Sequence, residues 1–142
     1  MEVKLASKED ISGILSLQPQ VHRSKKSAEN SEEILEEIIH SKNCEIVVAR
    51  QDERVLGSAF IFYHLSPHYG KPYAIIEDMV VDENQRSGGV GSEIIRKVIE
   101  LAKKRKSYKI ILTSGFDRDE IHKFYERSGF EKWGFEFRMG LN

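Results

Sequence analysis

Val80-Val81-Asp82-Glu83-Asn84-Gln85-Arg86-Ser87-Gly88-Gly89-Val90-Gly91-Ser92 runs from an apolar stretch through a glycine-rich turn into an amphipathic one. Upstream, Ala74 to Val81 is rich in Ile and Val and reads as a strand. Downstream, Val90, Ile94, Val98, Leu101 and Ala102 recur at helical spacing and predict a helix from about Gly89 to Arg105. A strand that feeds a helix through such a turn can bind an anion. Glycines lack a Cβ, so backbone can approach a phosphate, and the free N–H groups and positive dipole end of the helix stabilise the charge. Neither the Gly-Lys-Ser/Thr of a P-loop nor the G-x-G-x-x-G dinucleotide fingerprint is present. On spacing alone, a glycine-rich turn without a ligand stays open as the alternative.

Toward the N-terminus, Val3 to Ala6 reads as a strand. Ser7 with Asp10 reads as a capping box opening a helix with Ile11, Ile14 and Leu15 on one face, for which Pro19 is the expected end. A polar stretch, Gln20 to Asn30, leads to a second helix with Ser31 as N-cap and Ile34, Leu35, Ile38 and Ile39 as its stripe. Glu45–Ala49 and Val55–Tyr63 read as strands joined by the hairpin Gln51-Asp52-Glu53-Arg54, with Ala74–Val81 as the next antiparallel neighbour. Toward the C-terminus, Lys103-Lys104-Arg105-Lys106 complements the carbonyl end of the helix dipole and reads as a solvated helix end in preference to an anion site. Tyr108–Thr113 reads as a strand, Asp117–Ser128 as a helix opened by an Asp117/Glu120 capping box, and Trp133–Met139 as a closing strand. Pro19, Pro67 and Pro72 are all assigned to loops. The order predicts an α/β (α+β) domain with a mixed sheet.

The chain has 142 residues, 39% of them hydrophobic, which fits one domain spanning 1–142. Its 22 Lys plus Arg against 23 Asp plus Glu give a formal charge of −1, so no overall field argues for a nucleic-acid or membrane-surface partner. The single Cys44 cannot form an internal disulfide, and Met1 to Ser16 lacks an unbroken apolar run. The expected setting is the cytoplasm.

Arg86-Ser87-Gly88-Gly89-Val90-Gly91 also matches R-x-x-G-x-G, and here the chain resembles the GNAT family of N-acetyltransferases. The resemblance extends to Lys4-Leu5-Ala6 with Glu9-Asp10-Ile11, similar to that family's opening strand and helix, and to Phe124-Tyr125-Glu126-Arg127-Ser128-Gly129-Phe130, similar to its Tyr-bearing motif. It implies a GNAT-type mixed, mostly antiparallel twisted sheet flanked by about four helices. It also implies acetyl-CoA as co-substrate, with its pyrophosphate on the amides of Arg86, Ser87, Gly88, Gly89, Val90 and Gly91. Its pantetheine arm would lie beside Met79, Val80 and Val81. Ile76–Val81, Tyr108–Leu112 and Phe124–Phe130 are similar to glucosamine-6-phosphate N-acetyltransferases, which makes Glu77 and Asp78 acceptor-site candidates.

The chemistry asks for two proton carriers. A primary amine with a pKa of about 10.4 is mostly protonated at neutral pH and has no lone pair for attack on a thioester, so a base is required. Glu77 is an unusual charge in a strand that reads as buried, and alternation puts it on the face of Ile75 and Met79, opposite Asp78. It is expected to serve as general base with a pKa raised by burial, the alternative being a partner for a core Arg or His. The resemblance gives Tyr125 the role of acid to the departing thiolate, while Phe124 and Phe130 are core candidates. A backbone N–H near Met79 or Val80 would stabilise the oxyanion.

The expected activity is transfer of the acetyl group to a primary amine of a small molecule by direct attack on the thioester. The alternatives are a protein or peptide N-acetyltransferase and a non-catalytic acetyl-CoA-binding module. For the acceptor, His22, Arg23, Lys25 and Lys26 suit an anionic group, whereas the aromatic stretch Tyr63 to Tyr73 suits a cationic amine. Arg118 and Lys123 are further candidates for a cofactor phosphate. No metal is expected, since His64 and His68 lack a third ligand. Against the closing hairpin that the resemblance implies, the segment after Phe130 is short, which leaves room for a homodimer in which a partner chain completes the site.

Overall fold

The computed structural model describes residues 1–22 and 26–141, in two compact units, 1–112 and 113–142. In the first unit, β1 (Glu2–Leu5), β2 (Cys44–Gln51), β3 (Arg54–Ser66), β4 (Lys71–Val81) and β5 (Ile110–Ile111) form one sheet in sequence order. β1 to β4 are antiparallel neighbours, and β5 joins β4 in parallel, giving the expected mixed, mostly antiparallel sheet. The same unit holds α1 (Ile11–His22), α2 (Ser31–His40) and α3 (Val90–Lys104), and the second unit holds α4 (Asp119–Arg127). No helix among the described residues is long and apolar enough to cross a membrane.

Strand alternation divides the first unit's core in two. Ile46, Val48, Phe60 and Val80 face α1 and α2 and pack with Ile11, Ile14, Leu17 and Leu35. The intervening positions Val47, Ala49, Ala59 and Ile61 are buried on the other face, which α3 covers with Ile94, Ile95 and Val98. Gly57 lies where both β4 and α3 press close. A Cβ there would lie 2.8 Å from the Val80 carbonyl and 2.9 Å from Ile94 Cδ1. Gly57→Ala is therefore expected to cost about 1–3 kcal/mol through forced overpacking, read as a lowered thermal midpoint. An unchanged midpoint would mean that β4 and α3 can separate freely.

The β2–β3 hairpin closes as expected on a two-residue turn, with Gln51 opposite Arg54 and Asp52 at φ 54°. At Ser7 the expected capping box forms, but the Asp10 carboxylate does more than cap. It accepts from the Ser7 N–H (2.9 Å), from Lys4 Nζ (3.1 Å) and from the Arg50 guanidinium (2.9 Å), and Asp10 is only 1% exposed. β1, β2 and the start of α1 are thus tied at one buried charge. Cys44 is buried too. Burial, and then the Glu45 charge, push its thiol up to about 11, which keeps it unreactive.

Several expectations are corrected. Pro19 lies inside α1 and does not end it, so Gln20 to His22 are helical. The proline forfeits the bond to the Leu15 carbonyl, but Leu17 is buried and Val21 packs on the same core, and that burial carries the helix past it. Ser31 is the first helical residue of α2, not its cap, and its hydroxyl donates to the Ala28 carbonyl. Pro72 belongs to β4, where a proline near the strand start removes little pairing, and His64 to Ser66 belong to β3. The strand expected over Tyr108–Thr113 shrinks to Ile110–Ile111. Arg105 is no solvated end. It donates to Glu45 (3.0 Å) and the Lys42 carbonyl (2.7 Å) and lies over the Tyr63 ring. In the second unit, α4 starts after Arg118 with no side-chain cap, so the Asp117/Glu120 box does not form. Trp133–Met139 forms no strand.

Candidate active site

The β4 strand acquires its chemistry from one irregularity. Phe60 pairs with Glu77 and Ser58 with Val80, so Asp78 and Met79 together oppose Ala59 in a bulge. Asp78 takes φ 47°, a left-handed conformation that Asp tolerates better than most residues. Alternation breaks at this point. Glu77 shares a face with Phe60 and Val80, not with Met79 as expected, and Asp78 also turns toward α1. Glu77 is exposed, not buried, because a strand surface keeps in water a charge that would be costly to desolvate.

Asp78 Oδ2 lies 3.1 Å from His22 Nε2, in the turn of α1 beyond Pro19. The pair sits at a cavity of about 330 Å³ whose apolar wall includes Leu15, Ile34, Ile38 and Phe60. Gln18 also lines it, and its Nε2 is buried without a partner among the described residues. His22 therefore adjoins a carboxylate, while Arg23 and Lys25 lie outside the described residues. A larger hollow of about 830 Å³ is lined by Glu9, Asp52, Glu53 and Asp82 against Arg54, an acidic surface unsuited to phosphates.

Past the bulge, the outer edge of β4 opens. β5 pairs only with Ala74 and Ile75, so from Ile76 to Val81 no strand among the described residues occupies that edge. Met79 and Val81 are half-buried there, and Val80 anchors the strand in the α1/α2 core. Asp82 then fixes the exit. Its carboxylate accepts from the Asn84 N–H (3.0 Å) and from the Arg54 guanidinium (2.6 Å), and these contacts, the Asn84 bond first, hold its pKa below the usual carboxylate value. A short turn, Glu83–Gln85, leads into the exposed Arg86, Ser87, Gly88 and Gly89.

Ser87 at φ 66° and Gly89 at φ 84° turn the chain back into α3, with Gly89 as its N-cap. A side chain at Gly89 would meet nothing within 4 Å, so the space over the turn is open. The Gly89 carbonyl accepts from the Glu93 N–H, and the N–H groups of Val90, Gly91 and Ser92 precede the first intrahelical bond. Clear space, unspent amides and a helix dipole fit a pyrophosphate.

In the second unit, the spacing of Tyr125, Gly129 and Phe130 is a helix stop. Gly129 at φ 100° donates to the Glu126 carbonyl, and the Phe130 N–H donates to that of Tyr125. This folds Phe130 back so that its ring meets Tyr125 edge-on at 5.8 Å, while Phe124 meets it at 5.2 Å. Burial raises the Tyr125 pKa, against a smaller opposing effect of Arg118.

His64 pairs with Tyr73 and His68 with Tyr69, and no group of three metal-ligating side chains occurs among the described residues. The aromatic stretch already faces a cation of its own, since Lys109 lies over Tyr73 and Tyr108. Sequence reasoning missed Arg54 and Asp82 as braces of the turn, although an Asp two residues before Asn at a strand end is a turn signal.

The model of the acetyltransferase (GNAT) family matches residues 10–130. A glucosamine 6-phosphate N-acetyltransferase of Trypanosoma brucei brucei is 32% identical over 91 residues, covering 62% of this chain and 58% of that protein. A probable glucosamine 6-phosphate N-acetyltransferase 2 of Oryza sativa subsp. japonica is 29% identical over 92 residues, covering 64% and 54%. The chain thus spans little more than half the length of these curated relatives. Among solved structures, a putative acetyltransferase from Agrobacterium tumefaciens str. C58 superposes with a TM-score of 0.88 at 26% identity, covering 98% of this chain and all of that one. With the family match extending from α1 through the helix stop after Tyr125, the chain belongs to the acetyltransferase (GNAT) family of acyltransferases.

Proposed function

We propose that this protein transfers the acetyl group of acetyl-CoA to a primary amine of a small molecule, with residues 1–142 acting as one catalytic domain. The observation that carries this reading is the open edge of β4 running into the amide cradle at the start of α3. Acetyl-CoA supplies an activated thioester. Residues Arg86 to Gly91 hold its pyrophosphate by backbone N–H groups, and the backbone of Met79, Val80 and Val81 lines the pantetheine arm. The cavity beside Asp78 and His22 seats the acceptor, with the Asp78 carboxylate drawing in the ammonium.

Glu77 takes the ammonium proton, directly or through water, and the freed lone pair attacks the thioester carbon. The C–S bond then breaks, Tyr125 gives its proton to the departing sulfur, and the acetylated nitrogen gives its second proton to the phenolate so formed. The relatives named as glucosamine 6-phosphate N-acetyltransferases support a small amine as acceptor.

Thiol release measured over a panel of amines tests the reading. Release with at least one amine sustains it, whereas binding of acetyl-CoA without release from any amine, amino sugar, polyamine, aminoglycoside or peptide N-terminus overturns it. Gly89→Val tests the cradle. A β-branched residue at φ 84° is strained by at least about 1–2 kcal/mol, so the turn must move its amides, and affinity for CoA is expected to fall at least tenfold. Equal affinity by calorimetry would remove the turn from the anion site.

A further inference from the structure

The cavity beside Asp78 is walled by apolar side chains from three elements. Leu15 of α1 and Ile38 of α2 are half-buried on the core, Phe60 of β3 is buried, and Ile34 of α2 is 46% exposed. Single exposed apolar residues are ordinary on a protein surface. Four that converge on one recess of about 330 Å³ form the lining of a small-ligand site. The charge of this recess sits at Asp78, whose carboxylate is partly exposed and 3.1 Å from His22. A carboxylate beside a hydrocarbon wall is complementary to a cation carried on a hydrocarbon body.

A sugar phosphate suits this wall poorly. Its phosphate would meet the Asp78 carboxylate, and no Lys or Arg among the described residues lines the cavity. Its hydroxyls would lose water against Leu15, Ile34, Ile38 and Phe60 without gaining hydrogen bonds from them. We propose that the acceptor is a primary amine on a hydrocarbon body, alkyl or aryl, with its ammonium at Asp78 and its body along those four side chains, a specificity that rests on the acetyl transfer proposed above. The products are the neutral N-substituted acetamide and CoA thiol, with one proton passing to water by way of Glu77. Amide formation removes the positive charge that Asp78 attracts, so the product yields its place to the next ammonium.

Thiol release along n-propylamine, n-butylamine, n-pentylamine and n-hexylamine tests this, because the ammonium stays alike while the body lengthens. kcat/KM is expected to rise about fourfold per methylene, the factor for burying one CH2. n-Propylamine should exceed ethanolamine, which puts a hydroxyl where the methyl stands, by about tenfold, and glucosamine 6-phosphate should trail both. Ile34→Gln keeps a good helix former at an exposed position of α2. It is expected to narrow the span between n-hexylamine and n-propylamine by about fourfold or more, with affinity for CoA unchanged by calorimetry. A flat series, a preference for ethanolamine or glucosamine 6-phosphate over n-hexylamine, or an unaltered span in Ile34→Gln would each overturn the hydrocarbon acceptor and leave acetyl transfer standing. Release from no amine at all would overturn both.

Discussion

Tyr125→Phe is expected to lower kcat by about 100- to 10,000-fold, the range over which a positioned general acid acts. The substitution deletes one oxygen and leaves the ring between Phe124 and Phe130, so α4 and its glycine stop should persist. KM for acetyl-CoA is expected to change little, because the proposed pyrophosphate and pantetheine contacts come from other residues. The pH profile separates an acid from a packed aromatic. Burial raises the Tyr125 pKa above its ordinary value of 10, so the folded protein keeps the phenol protonated to higher pH than a free tyrosine would. Activity that depends on this proton is present below the folded-state pKa and falls as pH rises through it. That alkaline limb, lying above pH 10, should vanish in Tyr125→Phe. Steady-state thiol release under conditions where chemistry limits the rate is the measurement, and an unchanged kcat would take Tyr125 out of the reaction.

The helix stop beside Tyr125 shows why some of this site was legible in sequence. Gly129 and Phe130 act locally, within six residues, so their spacing survives as a readable motif. The glycine-rich turn is likewise local, and both strand periodicity and the Gln51–Arg54 hairpin follow from side-chain alternation and turn chemistry. What escaped depends on pairing at a distance. A bulge at Asp78 is set by register against Ser58 and Phe60, some twenty residues earlier in the chain, and it moves Glu77 and Asp78 out of simple alternation. His22 is legible as a candidate, but its helical place beside Asp78 is hidden by Pro19, whose local propensity yields to burial of Leu17 and packing of Val21. Trp133 to Met139 alternate as a strand would, but a strand needs a neighbour, and none of the described strands pairs with this segment, so the expected strand does not form.

Asp10→Ala is expected to destabilise the protein by about 3–5 kcal/mol, since removing one member of a buried charge cluster strands its partners. Lys4 and Arg50 both reach Asp10, and their side chains are 28% and 17% exposed, so neither can be fully rehydrated in place. The same carboxylate holds the Ser7 N–H at the entry to α1, and loss of that cap adds to the cost. The effect should depend on pH in a fixed direction. Burial on its own would raise the Asp10 pKa, but the Ser7 N–H and the Lys4 ammonium together outweigh it and hold the value below the ordinary 3.8. A carboxylate with a lowered folded-state pKa stabilises fully above its unfolded value and loses that stabilisation as pH falls through the folded one. The stability difference between parent and variant, from denaturant unfolding, should therefore be constant at neutral pH and shrink only below about pH 4 to 5. A difference that grew on acidification would contradict the assignment. The consequence is expected to reach the proposed acceptor cavity, because α1 starts at this cluster and ends at His22 beside Asp78. Asp10→Asn, which keeps an acceptor for the Ser7 N–H but loses the charge, should lie between parent and Asp10→Ala in stability. Its KM for the amine should rise more than its KM for acetyl-CoA if α1 carries the disturbance to His22.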